Sequence, residues 1–166
     1  MNRMIATLFG VGNVQPGSGT WASALAVVFA IFLHGVGGFP LLLVCTILVS
    51  LLGFAVVRAD LATRAPGDTD PSEIVIDEVA GQWLAMCAPS AGLWFAGLDT
   101  WNFPWPGYVT AFIFFRLFDI WKPWIVGRAD RRHDAAGVML DDLYAGAMAG
   151  VVVVVAAGFY HGVLMR

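Results

Sequence analysis

The chain has 166 residues, of which 59% are hydrophobic and only 13% charged, with a mean hydropathy of +0.77. A water-soluble domain of this length would carry about twice that share of charge, so the composition excludes an ordinary soluble enzyme. The formal net charge of −3 says little, because the sorting of charge matters more, and no nucleic-acid partner is expected; Cys45 and Cys87, both inside apolar runs, make neither a zinc motif nor a disulfide framework.

In chain order, the first twenty residues are Gly-rich without a continuous apolar core, so no cleavable signal peptide is expected. The loop at 10–20 reads Gly10-Val11-Gly12-Asn13-Val14-Gln15-Pro16-Gly17-Ser18-Gly19-Thr20. Glycines let backbone N–H groups turn toward an anion, and a following helix N-terminus adds a favourable dipole. Gly17, Ser18, Gly19 and Thr20 therefore form a candidate phosphate-binding loop. It is not a Walker A loop, because Ser18 and Gly19 follow Gly17 where Lys and Ser/Thr are required. A flexible leader capped by Thr20 is the alternative.

Residues 20–57 hold no Asp, Glu, Lys or Arg, and the same is true of 79–98 and 143–165. Uncharged runs of about 20 residues can cross a hydrocarbon core of about 30 Å. The pattern predicts apolar spans at 20–34, 39–57, 79–98, 104–126 and 143–164, with Gly35-Val36-Gly37-Gly38 as a tight hairpin link and Pro89 as a kink site. The expected fold is all-α: a polytopic membrane helical bundle of about five spans, a single domain over 1–166. Alternating the spans puts the N-terminus and the charged loops 58–78 and 128–142 on one side. Arg3, Arg58, Arg64, Arg128, Arg131 and Arg132 lie there, against Arg166 alone on the other. The positive-inside rule makes that side cytoplasmic.

Two acidic pairs, Asp77-Glu78 and Asp141-Asp142, stand directly before apolar runs on this cytoplasmic face. Each pair has a glycine shortly after it, Gly81 and Gly146, a weak internal echo. Helix capping explains one acid at each position; it does not explain two adjacent acids twice. Four converging carboxylates repel unless a cation neutralises them, and hard oxygen ligands suit Mg²⁺ or Mn²⁺. Asp77, Glu78, Asp141 and Asp142 are the expected metal ligands.

The fourth span carries Arg116, Asp119 and Lys122 at three-residue intervals, one stripe of a helix. Charges near a bilayer centre cost about 2.5–3.5 kcal/mol each, a cost reduced if this half of the helix lies at the interface, as Trp121 and Trp124 suggest. The stripe is either a structural Arg116–Asp119 ion pair or a pocket. In a pocket, Arg116 and Lys122 hold an anion while Asp119 orients them or shares the metal. Pro123 would end or bend the helix. Weaker features carry less: Asp68-Thr69-Asp70 reads as a solvated turn, His133 as an exposed loop histidine, and Gly146 with Gly150 as a close helix-packing face.

Four stretches together resemble the bacterial phosphatidylglycerophosphatase A family over nearly the whole chain. They are Pro16-Gly17 followed by Gly19-Thr20-Trp21-Ala22-Ser23; Ile74-Val75-Ile76-Asp77-Glu78-Val79-Ala80-Gly81; Arg116 to Trp124; and Gly137-Val138-Met139-Leu140-Asp141-Asp142. The Arg-x-x-Asp-x-x-Lys-Pro and Met-x-Asp-Asp stretches are the most specific. Two departures accompany them: Ser18-Gly19 is inserted between Gly17 and Thr20, and Ala135-Ala136 stands where the family usually has Gly-Gly. The resemblance implies a Mg²⁺-dependent inner-membrane phosphatase that takes phosphatidylglycerophosphate from the inner leaflet and releases phosphatidylglycerol and phosphate. Asp119, Arg116 and Lys122 would be catalytic, and the 17–20 loop would hold phosphoryl oxygens. Two alternatives stay open on the residues alone. One is a divalent-cation transporter or channel with carboxylates at its mouth; the other is a different lipid phosphotransferase.

Overall fold

The computed structural model describes residues 2–65, 71–102 and 104–164, with side chains to 162. The Asp68-Thr69-Asp70 turn lies outside these. Among the described residues the fold is all-helical. A short helix α1 (Asn2–Ala6) and a 3-10 segment (Leu8–Asn13) lead into α2 (Ser18–Leu61). Then come α3 (Ile76–Phe95), α4 (Trp105–Trp121), α5 (Trp124–Asp130) and α6 (Ala135–Phe159).

The 44-residue α2 reverses direction at Gly38, which adopts φ 64, ψ −162. Partners along α3 show the reversal. Ser23 and His34 in the first arm meet Glu78 and Ser90, ascending together. In the second arm Thr46 meets Cys87, while Gly53 lies beside Ile76, so that arm descends. Only glycine takes this backbone without strain, and a Cβ there would stand 2.3 Å from the Trp94 ring. Pro40 follows where a new helix begins, the place in which its missing N–H costs little. The expected four-residue link is thus a one-residue turn.

Two other boundaries differ from expectation. α4 stops at Trp121, not 126, because Pro123 disfavours helical backbone at the residue before it; Lys122 caps the helix in the left-handed region at φ 50. α6 begins at Ala135, capped by Asp134, whose side chain accepts from Gly137 N at 2.7 Å. Asp141 and Asp142 therefore lie well inside a helix, not at its cap.

α2 (Ser18–Leu61) and α6 are long and apolar enough to cross a membrane. Their outward residues are apolar, including Phe29, Leu48, Leu51, Val151 and Val155, all exposed. The interior is built largely from small residues, such as Ala26, Ala30, Ala85, Ala111, Ala145 and Ala149, around Leu42, Met86 and Phe115. Small residues let helix backbones approach closely, which is how helices associate when both the lipid and the side chains are apolar. The closest approach decides the site: a Cβ on Gly146 would lie 2.2 Å from the Gly81 carbonyl oxygen, and one on Gly81 would lie 2.5 Å from that of Asp142.

Candidate functional site

Because α3 and α6 touch at Gly81 and Gly146, the residues one turn before each glycine face one another. Glu78 and Asp142 meet there, and Asp119 joins them from α4. One carboxylate oxygen from each of these three lies within 4.8 Å of the others. They open into a cavity of about 350 Å³ whose lining includes Asp77, Glu78, Asp119, Asp141 and Asp142, with Arg116 and Lys122 as its two bases.

The two cations are held differently. Arg116 Nη1 bridges Glu78 Oε2 at 2.5 Å and Asp119 Oδ2 at 2.8 Å, and the three side chains are only 15%, 12% and 13% exposed. Lys122, turned out of the α4 stripe by its left-handed backbone, places Nζ 3.0 Å from Asp141 Oδ2 and against Asp130. The expected continuous stripe is therefore divided: Arg116 and Asp119 serve one carboxylate group and Lys122 another. The acidic pairs divide too. Adjacent helical residues point about 100° apart, so Asp142 joins the three-carboxylate group while Asp141 meets Lys122. Asp77, in the first turn of α3, accepts from Glu78 N at 2.9 Å. Of the expected ligands, Glu78 and Asp142 converge, together with Asp119, and Asp77 and Asp141 line the same cavity.

The start of α2 forms another wall. Gly17, at φ 80, precedes the helix, and the first intrahelical bond runs from Trp21 N to Gly17 O at 3.2 Å. The N–H groups before it are the orphan donors of a helix N-terminus, and Gly17, Ser18 and Gly19 line the cavity. Ser18 Oγ donates to Ser72 O at 2.8 Å, tying this loop to the segment before α3. A Cβ on Gly19 would lie 1.9 Å from Glu78 Oε1, so Gly19 brings a bare backbone directly onto the carboxylates. Thr20 is exposed and outside the lining; with the helix starting at Ser18, it falls on the face turned away.

Some participants escaped sequence reasoning. Ser23 Oγ lies 2.8 Å from both Gly19 O and Glu78 Oε2. It stands one helical turn after Gly19, a spacing that could have found it. Asp130, the second partner of Lys122, is hidden in a charged loop block and carries no such signal. His133 is exposed and apart from the cavity lining.

The three-carboxylate group is an all-oxygen donor set, suited to a hard divalent cation. With five acids against two bases, the lining is also short of positive charge for any anionic ligand. The phosphatidylglycerophosphatase A family model matches residues 4–157, which contain every one of these groups. The chain belongs to that family. A Haemophilus influenzae phosphatidylglycerophosphatase A is 31% identical over 152 residues, covering 90% of this chain and 85% of that protein. The Escherichia coli protein of the same name is 31% identical over 121 residues, 70% of this chain and 64% of its own. A Bacteroides thetaiotaomicron protein with the provisional name phosphatidylinositol-3-phosphatase is 34% identical over 155 residues, 92% and 91% of the two chains. No solved structure matches. Membership makes the chain a phosphoric monoester hydrolase of the phosphatidylglycerophosphatase type.

Proposed function

We propose that the chain hydrolyses the phosphomonoester of phosphatidylglycerophosphate at the cytoplasmic face of the inner membrane, with Mg²⁺ as its metal. The observation that carries this reading is the deficit of positive charge in a cavity that belongs to a phosphatase family. A phosphomonoester brings a further −1.5 to −2 charges, about, and five acids with two bases cannot accept it unaided. Glu78, Asp119 and Asp142 would hold Mg²⁺. When bound, the ion supplies Lewis-acid charge to the phosphoryl group and acidity to the attacking water.

The chain's own residues do the rest. Arg116 keeps Glu78 and Asp119 at fixed spacing and presents its charge to the phosphoryl oxygens. The orphan N–H groups at the start of α2 add donors on the opposite wall. Lys122 brings a second cation beside Asp141. Water oxygen bonds to phosphorus as the bond from phosphorus to the glycerol oxygen breaks. Asp141, outside the three-carboxylate group, takes the water's proton, and the departing alkoxide takes one from solvent, so that Asp141 returns its own to solvent and the balance closes. Phosphatidylglycerol and inorganic phosphate leave. Positioning and charge stabilisation supply most of the catalysis in such a transfer.

The two arms of α2 with α3, α4 and α6 would make five spans, and the arginine-bearing loops at the site's end of the bundle support a multi-pass, cytoplasm-facing reading. A cation pathway is less well supported. Along α3, the polar positions Glu78, Gln82 and Ser90 share a stripe with Met86, which is fully buried and apolar. The test is phosphate release by purified protein in detergent, with and without Mg²⁺, from phosphatidylglycerophosphate and from phosphatidylinositol 3-phosphate. Mg²⁺-dependent release from the first is expected. Release from neither, or cation flux in liposomes without hydrolysis, would refute it.

A further inference from the structure

A second cavity, of about 640 Å³, abuts the polar one and shares a single residue with it, Lys122. Its walls are Phe118 and Trp121 of α4, Pro123 and Trp124 of the following turn, and Met148, Val151 and Val152 of α6. Apart from Lys122 the lining residues are apolar or aromatic. We propose that this groove is the acyl-chain subsite: one tail of a diacyl phosphomonoester lipid lies between α4 and α6 while its phosphate occupies the polar cavity. The inference rests on the phosphatase reading above and adds the route by which substrate leaves the bilayer.

Three observations argue for that occupant. First, Lys122 joins the two spaces as an amphipathic side chain can. The residue lines both spaces, and its Nζ meets Asp141 at 3.0 Å. An amphiphile with an anionic head and an apolar tail matches that sequence of environments. Second, the length fits. From Asp141 to Val152 along α6 is about 16 Å at 1.5 Å per residue, close to half of a hydrocarbon core of about 30 Å. Third, the turn that shapes the groove is held in an unusual form. Lys122 and Trp124 both take positive φ, 50 and 42, on either side of Pro123. Backbone in that region is costly for such residues and persists where surrounding structure imposes it. A Cβ on Gly127 would lie 2.6 Å from the Lys122 carbonyl oxygen, so α5 packs directly on this turn. The turn leaves Trp121 70% and Trp124 84% exposed beside the groove, as indoles at the level of lipid headgroups are.

The test uses the full chain in nanodiscs and a non-hydrolysable phosphonate analogue of phosphatidylglycerophosphate with a diazirine midway along one tail. The control is phosphatidylglycerol bearing the same tail. Anchoring through the phosphate raises the local concentration of the tail, so labelling of Met148, Val151 or Val152 should exceed the control about tenfold. Equal labelling by both lipids means the groove holds bulk lipid and overturns the proposal. So does phosphonate labelling confined to other helices. If neither lipid labels it and Val151→Cys forms a disulfide-linked dimer, a second copy fills it, which also overturns the proposal. Val151→Trp gives an independent reading. It should raise KM about tenfold for a long-chain substrate and leave KM unchanged for one whose tails end short of Val151. Equal change for both contradicts the subsite. Labelling needs no turnover, so selective labelling without phosphate release would refute the hydrolysis and keep the groove. Hydrolysis without selective labelling would do the reverse.

Discussion

Gly81 and Gly146 lie back to back, with the Gly81 carbonyl oxygen 2.2 Å from where a Gly146 Cβ would be. This contact lets Glu78 and Asp142, on different helices, approach each other across the cavity. An alanine at 146 meets backbone, which cannot swing aside as a side chain can. Gly146→Ala should cost about 1–3 kcal/mol, the usual scale of overpacking, read as a lowered Tm in detergent. Its activity should fall further than the Tm shift accounts for, because a displacement of about 1 Å at a reacting centre can cost about 10²-fold. Wild-type Tm and rate would contradict the close crossing.

The convergence of Glu78, Asp119 and Asp142 makes a comparison between neighbours decisive. Asp119→Asn and Asp142→Asn should each lower kcat by about 10²-fold or more, the scale of losing one electrostatic stabiliser, and raise the Mg²⁺ concentration needed for half activity. Asp77→Asn should instead cost about 0.3–1 kcal/mol of stability, as a first-turn acid does, with the metal requirement unchanged. If Asp77→Asn shifts the metal dependence and Asp119→Asn does not, the grouping is wrong. Titration with EDTA should remove activity in the wild type, and Mg²⁺ should restore it.

Arg116 bridges two acids from one nitrogen, at 2.5 and 2.8 Å. Lysine keeps the charge, but its shorter, non-planar side chain does not place a nitrogen where Nη1 sits between the two acids. Arg116→Lys should retain the fold and lose about 10²-fold in kcat, and Arg116→Ala should do no better. Full activity in Arg116→Lys would mean that charge alone suffices there.

Asp134 caps α6 outside the apolar span, and the Arg132 guanidinium with the Gly137 N–H holds its carboxyl below the ordinary value of 3.8. A depressed folded-state value means that its stabilisation is complete above the unfolded value and disappears as pH falls through the folded one. Asp134→Ala should cost about 1 kcal/mol at pH 7, mainly by loss of the cap; the exposed ion pair with Arg132 adds little. Thermal melts of the two proteins should converge as the pH is lowered below about 4. A Tm difference that stays constant into acid would show that the carboxylate charge is not what caps the helix.

The distribution of residues along the chain determined much of this molecule without any tertiary information. The uncharged runs specify helices with apolar outer faces, because a backbone in hydrocarbon must satisfy its own hydrogen bonds. The glycines at 35–38 mark a reversal, since a helix can turn back sharply only where positive φ is tolerated. The acidic pairs and the Arg116–Asp119–Lys122 stripe mark one polar end, because carboxylates and cations are too costly to scatter through an apolar interior. Which acids converge was decided by packing. Asp141 and Asp142 are neighbours in the chain, yet the turn of the helix aims one at Lys122 and the other at Glu78 and Asp119. Lys122 continues the stripe on paper, but Pro123 forces it out of the helix and toward Asp130. The direction of a side chain depends on helix phase and on where each helix stops, and both are settled only when α3, α4 and α6 are seated against one another.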